Sequence, residues 1–372
     1  MKITALAASL AALIMMVAPW HSAPTDTSPL VTVQAASVAG MTTPVAPAPV
    51  PGQYRAFGLD GDHSGFPTVV RLADGRLRMM WRHGSAHASA DGEILTSVST
   101  DNGDSWSTPT HVTVDNGGDV RDPHLGPSGL SAVGGDVFLT YFVSVNGVPS
   151  GARVARSTDG GATFGPSVRI DPNMPYAAIS APVVKIGARL VTGFYGRKVG
   201  ETTDSAYVAW SDNNGASWST NRVAIGDPGS NNPFQEPWVV GTGNTAILIM
   251  RDGSWKSLAV RSWDMAANVW SPIYRNVLPN ATGNSASVYA SNGRIYTVYR
   301  DTATRAAKLA SSGDKGVSWV VERELMPMPA GSTVDAVGST YAHPVELGPG
   351  RIFCPLGMER SPTDSRLYLG WL

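Results

Sequence analysis

The sequence predicts an all-β fold, a six-bladed β-propeller with four-stranded antiparallel blades. The first observation is an octapeptide, Ser-x-Asp-x-Gly-x-Ser/Thr-Trp/Phe, that recurs at residues 99–106, 157–164, 211–218 and 312–319. A repeat of this period is typical of solenoids and propellers. The second observation is that short runs rich in Val, Ile, Tyr and Trp separate the copies, with no amphipathic pattern of helical length. Each repeat is therefore predicted to be one β unit.

The octapeptide itself has the chemistry of a tight turn. Asp or Asn caps its own backbone, Gly supplies a positive φ, and the terminal aromatic ring packs back between strands. A degenerate copy at 262–270, with one inserted residue and no glycine, fills the long gap before the last copy. We expect the turn to join the third strand of each unit to the fourth, which makes it a structural rather than a catalytic motif.

Six segments align as the second strands of successive units, and they end at Arg82, Phe142, Arg197, Arg251, Arg300 and Glu359. An inner strand precedes each of them, and five inner strands carry proline at the same place, namely Pro67, Pro123, Pro182, Pro237 and Pro344. The sixth unit has no octapeptide, so the segment 54–58 is expected to supply its outer strand. Such an exchange would close the ring and cover its edges.

Composition limits the classes of partner. The chain has 372 residues, a net charge of −1 and only 15% charged residues, which gives no reason to expect nucleic acid or an anionic membrane as partner. Forty glycines and 27 prolines suit many short strands joined by turns. The single cysteine, Cys354, excludes an intrachain disulfide. A monomer without cofactor or bound metal is predicted.

The N-terminal region differs in composition from the repeats. Residues 1–23 contain Lys2 followed by an apolar run and predict a signal peptide, with a short membrane anchor or a misassigned start as alternatives. Residues 24–52 are rich in Pro, Ala and Thr and predict a flexible linker. The propeller is then expected over 53–372. This organisation predicts a secreted or cell-surface protein with no integral membrane partner.

Strand direction predicts where the chemistry lies. In an up-and-down blade, the start of the inner strand and the end of the second strand share one face of the ring, opposite the octapeptide turns. The residues predicted on that face are rich in ionisable groups: His63, Phe66, Arg82, His83, His87, Arg121, Asp122, His124, Ser180, Arg197, Gln235, Glu236, Arg251, Arg300, Tyr341, His343 and Glu359. His83 and His87 are four residues apart, but they fall on a loop, so their spacing defines no metal-binding face.

From Phe57 to Leu372 the sequence resembles the sialidase superfamily, whose six-bladed propellers carry this turn motif as the Asp box. The resemblance implies a carboxylate-binding group of arginines, a tyrosine nucleophile activated by a glutamate, and an aspartate acid/base. Carried onto this chain, it implies Tyr341 as nucleophile and Glu236 as the activating carboxylate. It implies Arg251 and Arg305 as clamp arginines, with Arg300 as the alternative to Arg305.

One part of the family pattern is missing. The Phe/Tyr-Arg-Ile-Pro motif should fall at 64–67, where this chain reads SGFP and has no arginine. Arg82 or Arg121 would have to substitute. For the acid/base, the segment after Arg82 offers Asp91 with His87 beside it, and the stretch RDPHLG offers Asp122 as an alternative. The remaining candidates for substrate binding are His124 and His343.

These features together predict a sialidase-like exo-glycoside hydrolase that cleaves a terminal, acidic sugar with retention of configuration. A neutral tyrosine nucleophile suits an anionic sugar, because it does not repel the substrate as a carboxylate would. An alternative is a glycosidase that uses Asp122 and Glu236 as its two carboxylates on a neutral or uronic sugar. A carbohydrate-binding propeller without catalytic activity is the non-enzymatic alternative.

Overall fold

The computed structural model describes residues 53–57, 63–114, 118–127, 135–224, 226, 233–253, 256–328 and 340–372. Within these ranges the chain forms 27 β-strands and no helix, so the all-β prediction is confirmed. Consistent with this, no helix of the described residues is long and apolar enough to span a membrane. The predicted signal peptide and linker lie outside the described residues.

The described strands form four sheets, of nine, nine, five and four strands, and antiparallel pairing within them distinguishes six successive units along the chain. After β1 (Tyr54–Phe57), the first unit contains β2 (His63–Arg71), β3 (Leu77–Gly84), β4 (Glu93–Ser99) and β5 (Thr110–Val112). The second contains β6 (Asp119–Gly126), β7 (Val137–Val145), β8 (Val148–Ser157) and β9 (Val168–Arg169). The third contains β10 (Tyr176–Ala178), β11 (Val184–Ile186), β12 (Arg189–Arg197), β13 (Ser205–Ser211) and β14 (Ser219–Ala224).

The second half of the chain repeats the arrangement. The fourth unit contains β15 (Phe234–Thr242), β16 (Thr245–Asp252), β17 (Ser257–Asp264), β18 (Val269–Trp270) and β19 (Tyr274–Pro279). The fifth contains β20 (Ala281–Tyr289), β21 (Ile295–Asp301), β22 (Ala306–Ser312) and β23 (Val320–Pro327). The sixth contains β24 (Thr340–Ala342), β25 (Val345–Gly348), β26 (Arg351–Ser361) and β27 (Asp364–Trp371). As predicted, β1 pairs with β27, with Tyr54 opposite Gly370.

The octapeptide forms the same turn in four units. Ser99 Oγ accepts a hydrogen bond from Gly103 N at 2.8 Å and donates one to Asp101 Oδ1 at 2.8 Å. Asp101 Oδ1 also accepts from Ser105 N, and Trp106 Nε1 donates to Gly103 O. Gly103 has a φ of 97°, which an L-residue rarely adopts. The corresponding serine also caps a glycine N–H in the copies that begin at Ser157, Ser211 and Ser312.

The degenerate copy also links a third strand to a fourth. Trp263 of β17 pairs with Trp270 of β18, and the two indoles stack with centroids 5.2 Å apart and an interplanar angle of 2°. Trp263 Nε1 donates to Asn268 Oδ1 at 3.1 Å. Aromatic stacking and a side-chain acceptor therefore replace the glycine-based turn in the fourth unit.

Neighbouring units are joined by packing and by buried hydrogen bonds. Apolar side chains of adjacent units form continuous clusters that include fully buried residues such as Trp81 and Trp238. Leu125 N of the second unit donates to Thr68 Oγ1 of the first at 2.7 Å. That hydroxyl also lies 2.6 Å from Nδ1 of His343 in the sixth unit. A single threonine of β2 thus connects both neighbours of the first unit.

Three inner strands contain a β-bulge at the residue that precedes the repeated proline. The register shifts between Gly65 and Thr68 in β2, and equivalent shifts occur in β6 and β15. Phe66, Asp122 and Glu236 occupy these positions with φ of 56°, 54° and 50°. A non-glycine residue held there stores on the order of 1–3 kcal/mol of strain, and a bulge redirects its side chain. The bulges therefore organise the site described next.

Candidate active site

The centre of the site is a Tyr–Glu–Arg cluster. Tyr341 on β24 donates a hydrogen bond from Oη to Glu236 Oε1 at 3.4 Å. Arg251, near the end of β16, places NH1 3.2 Å from Glu236 Oε2. Glu236 is only 3% exposed, and the bulge of β15 directs it toward the other two side chains. Residues 105 positions apart are thus brought into hydrogen-bond reach.

The environment shifts the acidity of both members of the Tyr–Glu pair. Burial raises the pKa of Glu236, and the charge of Asp122 adds to this, whereas Arg251 and Arg300 oppose the rise. Burial also raises the pKa of Tyr341 well above its ordinary value, and the charges of Glu236 and Asp122 add to that rise. A carboxylate with a raised pKa is a stronger base, and the phenol holds its proton until that base removes it.

A network of polar side chains from the third and fourth units holds Arg251 in place. Its guanidinium donates to Gln235 Oε1, and the Gln235 amide donates to Asp204. Asp204 also pairs with Arg197 at 2.9 Å, and Arg197 lies over the ring of Tyr176 at 4.1 Å. The network links the third and fourth units and fixes the position of Arg251. The sequence did not predict Asp204 as a site residue, because Asp204 lies between strands β12 and β13, outside the aligned strand segments.

Asp122 is the second carboxylate of the site. It is 3% exposed and accepts a hydrogen bond from Ser180 Oγ, while its Oδ1 lies 3.1 Å from His124 Nε2. The negative charge of Asp122 raises the pKa of both Glu236 and Tyr341, which places it in their electrostatic neighbourhood. The structure therefore brings this predicted residue together with the Tyr–Glu pair.

The two predicted histidines of the inner strands are buried in the core of the site. His124 is 0% exposed and lies edge-to-face on Trp238, with centroids 5.2 Å apart. His343 packs on the same indole and is 5.8 Å from His124. Burial, followed by the neighbouring His124, lowers the pKa of His343 well below its ordinary value. Both rings support the inner strands, and neither is presented on the surface as a substrate contact.

The end of β3 and the loop that follows it contain three predicted residues, Arg82 on the strand and His87 and Asp91 on the loop, and Arg82 and Asp91 hold the loop together. Arg82 is fully buried, pairs with Asp119 at 2.8 Å and donates to Ala86 O at 2.7 Å. Asp91 is exposed, and its carboxylate accepts hydrogen bonds from Ser85 N and Ser85 Oγ. Hydrogen bonds from Ser89 and Ser85 lower the pKa of Asp91. A surface carboxylate with a lowered pKa is poorly suited to donate a proton at neutral pH.

The arginine candidates differ in burial. Arg300 of β21 is 2% exposed, and its charge acts on Glu236. Arg305 lies exposed on the turn between β21 and β22, with φ of 54°. Arg121 approaches the rings of Phe66 and Phe142, at 6.0 and 5.6 Å from their centroids. Of the two alternatives for the clamp arginine, Arg300 is therefore the one beside the catalytic candidates.

The side chain of His63 fills the space beside Gly65, the position where the family pattern has an arginine. A Cβ at Gly65 would lie 2.8 Å from His63 Cε1, which is closer than real side chains approach. His63 in turn lies 3.0 Å from Glu359, and His87 contacts the same carboxylate oxygen at 3.0 Å. Phe66 packs on Tyr341 beside this group, with centroids 4.4 Å apart. This His–Glu–His cluster is the feature that most clearly distinguishes the site from the family pattern.

Comparison with known proteins places the chain in a family and a fold. The family described as "BNR repeat-like domain" matches residues 75–323. None of the curated proteins matches the sequence.

Several solved structures share the fold at low sequence identity. A protein of unknown function from Dyadobacter fermentans has a TM-score of 0.70 and 14% identity, covering 87% of this chain and 100% of its own. A Hadza microbial sialidase has a TM-score of 0.64 and 16% identity, over 85% of this chain and 68% of its own. The α-L-arabinofuranosidase Arb93A from Fusarium graminearum has a TM-score of 0.60 and 15% identity, over 88% and 97%.

Proposed function

Because the chain belongs to the BNR repeat-like domain family, we propose that it is a glycoside hydrolase that removes a terminal sugar from a glycan by way of a tyrosyl intermediate. The observation that carries this proposal is the Tyr341–Glu236 contact of 3.4 Å in a buried, arginine-lined site. A phenol paired with a carboxylate of raised pKa is an activated nucleophile. The solved sialidase and arabinofuranosidase of the same fold support the general class of reaction.

We also propose that the six units form the blades of a six-bladed propeller. The pairing of β1 with β27 supports closure, since it joins the start of the repeat region to its end. Thr68 contacts both the second and the sixth unit, which supports a ring in which the first and last units are neighbours. In such a ring the inner-strand bulges converge on one central site.

The proposed reaction has two steps. Tyr341 Oη attacks the anomeric carbon while its proton passes to Glu236 Oε1, and Asp122, which must enter this step protonated, gives its proton to the leaving oxygen. Water then attacks the anomeric carbon of the glycosyl–tyrosine and gives a proton to Asp122, while Glu236 returns its proton to Tyr341 Oη, which releases the sugar and restores the phenol. Asp122 is preferred to Asp91 as the acid because Asp122 is buried beside the pair, whereas Asp91 is exposed and caps its own loop.

We propose an acidic sugar as substrate. Arg251 and Arg300 lie beside Glu236, and a planar guanidinium suits a sugar carboxylate. A neutral nucleophile also avoids repelling an anionic substrate. A second candidate uses Asp122 and Glu236 as the two carboxylates on a neutral or uronic sugar. Gly65 favours it, because an arginine of the expected clamp is missing there.

A panel of fluorogenic glycosides separates the two candidates. With a sialoside as substrate, Tyr341→Phe is expected to abolish turnover and Asp122→Asn to slow it. With an α-L-arabinofuranoside, the second candidate requires Asp122 and Glu236 but tolerates Tyr341→Phe. A fluorinated substrate analogue should leave a sugar-sized mass increment on the Tyr341 peptide only under the first mechanism.

A binding protein without activity is the remaining outcome of this test. It would release no fluorophore from any glycoside yet retain binding on a glycan array, also after Glu236→Gln. Secretion is proposed from residues 1–23, and a monomer from the expected closed ring. Cell fractionation and size-exclusion chromatography test these two proposals independently of catalysis.

A further inference from the structure

Three residues from separate elements of the first and sixth units converge beside Tyr341. His63 Nε2 of β2 lies 3.0 Å from Glu359 Oε1 of β26, and His87 Nδ1 lies 3.0 Å from the same oxygen. All three candidate ligand atoms lie within 4.8 Å of one another. The small cavity beside them is also lined by Phe66 and Tyr341. The His–Glu–His cluster therefore adjoins the nucleophile candidate without being part of the Tyr–Glu–Arg cluster.

The surrounding structure holds the three side chains in place. The side chains of His63 and Glu359 are 2% and 5% exposed. His87 lies on the loop that Arg82 fixes through Ala86 O, and its backbone N–H donates to Pro362 O at 2.6 Å. The side chain of His87 is 27% exposed, which leaves a path from solvent. His63 and Glu359 are therefore held in place inside the protein, whereas His87 can be reached from solvent.

We propose that the His–Glu–His cluster binds a divalent transition-metal ion, with Zn²⁺ as the ion best suited to its ligands. Two imidazole nitrogens and one carboxylate oxygen are a typical zinc ligand set with one position left open. Zinc–ligand distances of about 2.0–2.1 Å put the ligand atoms of a tetrahedron roughly 3.3 Å apart. The two contacts of 3.0 Å are close to that separation.

Charge supports a cation at this position. Each 3.0 Å contact is a hydrogen bond only while the imidazole nitrogen carries a proton toward Glu359, and a metal ion takes the place of both protons. A dication with one carboxylate and two neutral imidazoles leaves one net positive charge. That charge lies next to Gly65, where the family pattern has an arginine. An effect on an acidic sugar would rest on the proposed function, whereas the metal site itself does not.

The test measures metal binding directly. The full chain is stripped with chelator, dialysed, and mixed with equimolar Zn²⁺, and retained zinc is measured by mass spectrometry after gel filtration. We expect one zinc per chain, and we expect Co²⁺ in its place to give the visible absorption of a tetrahedral site. His87→Ala and Glu359→Gln should each lower retention at least tenfold. Their circular dichroism and melting temperature without metal report whether they fold.

His111→Ala is the matched control, because His111 forms a surface pair with Glu93 at 2.8 Å, and both side chains are 40% exposed. It should retain zinc like the unmodified chain. The proposal is overturned if the unmodified chain retains no zinc, or if folded His87→Ala and Glu359→Gln retain as much as His111→Ala. The zinc measurements do not use glycoside turnover, so failure of the proposed function leaves this result interpretable.

Discussion

Replacing Glu236 with Gln should affect Tyr341 in two opposite ways. The charge of Glu236 raises the pKa of the phenol, so its removal should lower that pKa. The same change replaces the carboxylate 3.4 Å from Tyr341 Oη with an amide, whose oxygen accepts a hydrogen bond but is not a base that can take the proton. Loss of a general base slows turnover about 10²–10⁴-fold. At about 1.36 kcal/mol per decade, the barrier rises by roughly 2.7–5.4 kcal/mol.

Turnover and acidity are measured on the same variant. The pKa of the Tyr341 phenol is obtained from the difference between the ultraviolet titrations of Glu236→Gln and Glu236→Gln/Tyr341→Phe, because this difference isolates one of the eleven tyrosines. It is compared with the pKa obtained in the same way from the unmodified chain and Tyr341→Phe. The expected result is a slower enzyme with a more acidic phenol. An unchanged phenol pKa would refute the electrostatic coupling, and full turnover would refute the role of Glu236 as base.

Stability must be measured in parallel, because Glu236 is paired with Arg251 at 3.2 Å inside the protein. Removing one partner of a buried ion pair costs about 3–5 kcal/mol in typical proteins. The Gln235 carbonyl still accepts from Arg251 in the variant, so the loss should fall below that range. Urea unfolding gives the value, and kinetics are then compared at a temperature where both proteins are folded.

Asp91→Asn should change turnover less than tenfold, whereas Asp122→Asn should reduce it about 10²–10⁴-fold. The measurement is kcat of each variant on the glycoside that the unmodified protein hydrolyses. The carboxyl of Asp159 has its pKa lowered to about 2 by bonds from the Thr163 hydroxyl and N–H. Its stabilisation is therefore present above the unfolded pKa near 3.8 and is lost as pH falls through the folded pKa of about 2. Asp159→Ala should unfold more easily than the unmodified chain in urea at pH 7, and the difference should shrink as the pH is lowered toward 2. Gly65→Arg should lower the melting temperature, because His63 fills the space beside Gly65. Adding His63→Ala in a double variant should partly restore it. A Gly65→Arg protein as stable as the unmodified chain would contradict this reasoning.

Local chemistry made the repeat predictable. The octapeptide is stabilised by bonds among its own residues, such as Ser99 with Asp101 and Gly103, so sequence alone specifies the turn. The six second strands could then be aligned between turns. The pairing of β1 with β27 was predicted because the sixth unit lacked an outer strand.

Long-range packing accounts for what the sequence analysis missed. His63 and Glu359 are 296 residues apart, and no local pattern connects them. Spacing along the sequence pairs His83 with His87, whereas the structure brings His87 together with His63 and Glu359. Asp91 illustrates the reverse case: its Ala-Asp-Gly context predicts a turn, and the turn contacts with Ser85 prevail over the family alignment.

The inner-strand bulges explain how one repeated scaffold carries different chemistry. In three units, the residue before proline has a left-handed backbone conformation at a β-bulge. These residues are Phe66, Asp122 and Glu236. The strain is a property of the backbone, whereas the chemistry depends only on which side chain stands there. In the third and sixth units the residues before proline are Ala181 and His343, and both are buried. Substitution at this one register position can therefore change a site from carboxylate-based to aromatic without altering the fold, which is why family membership defines the scaffold more firmly than the substrate.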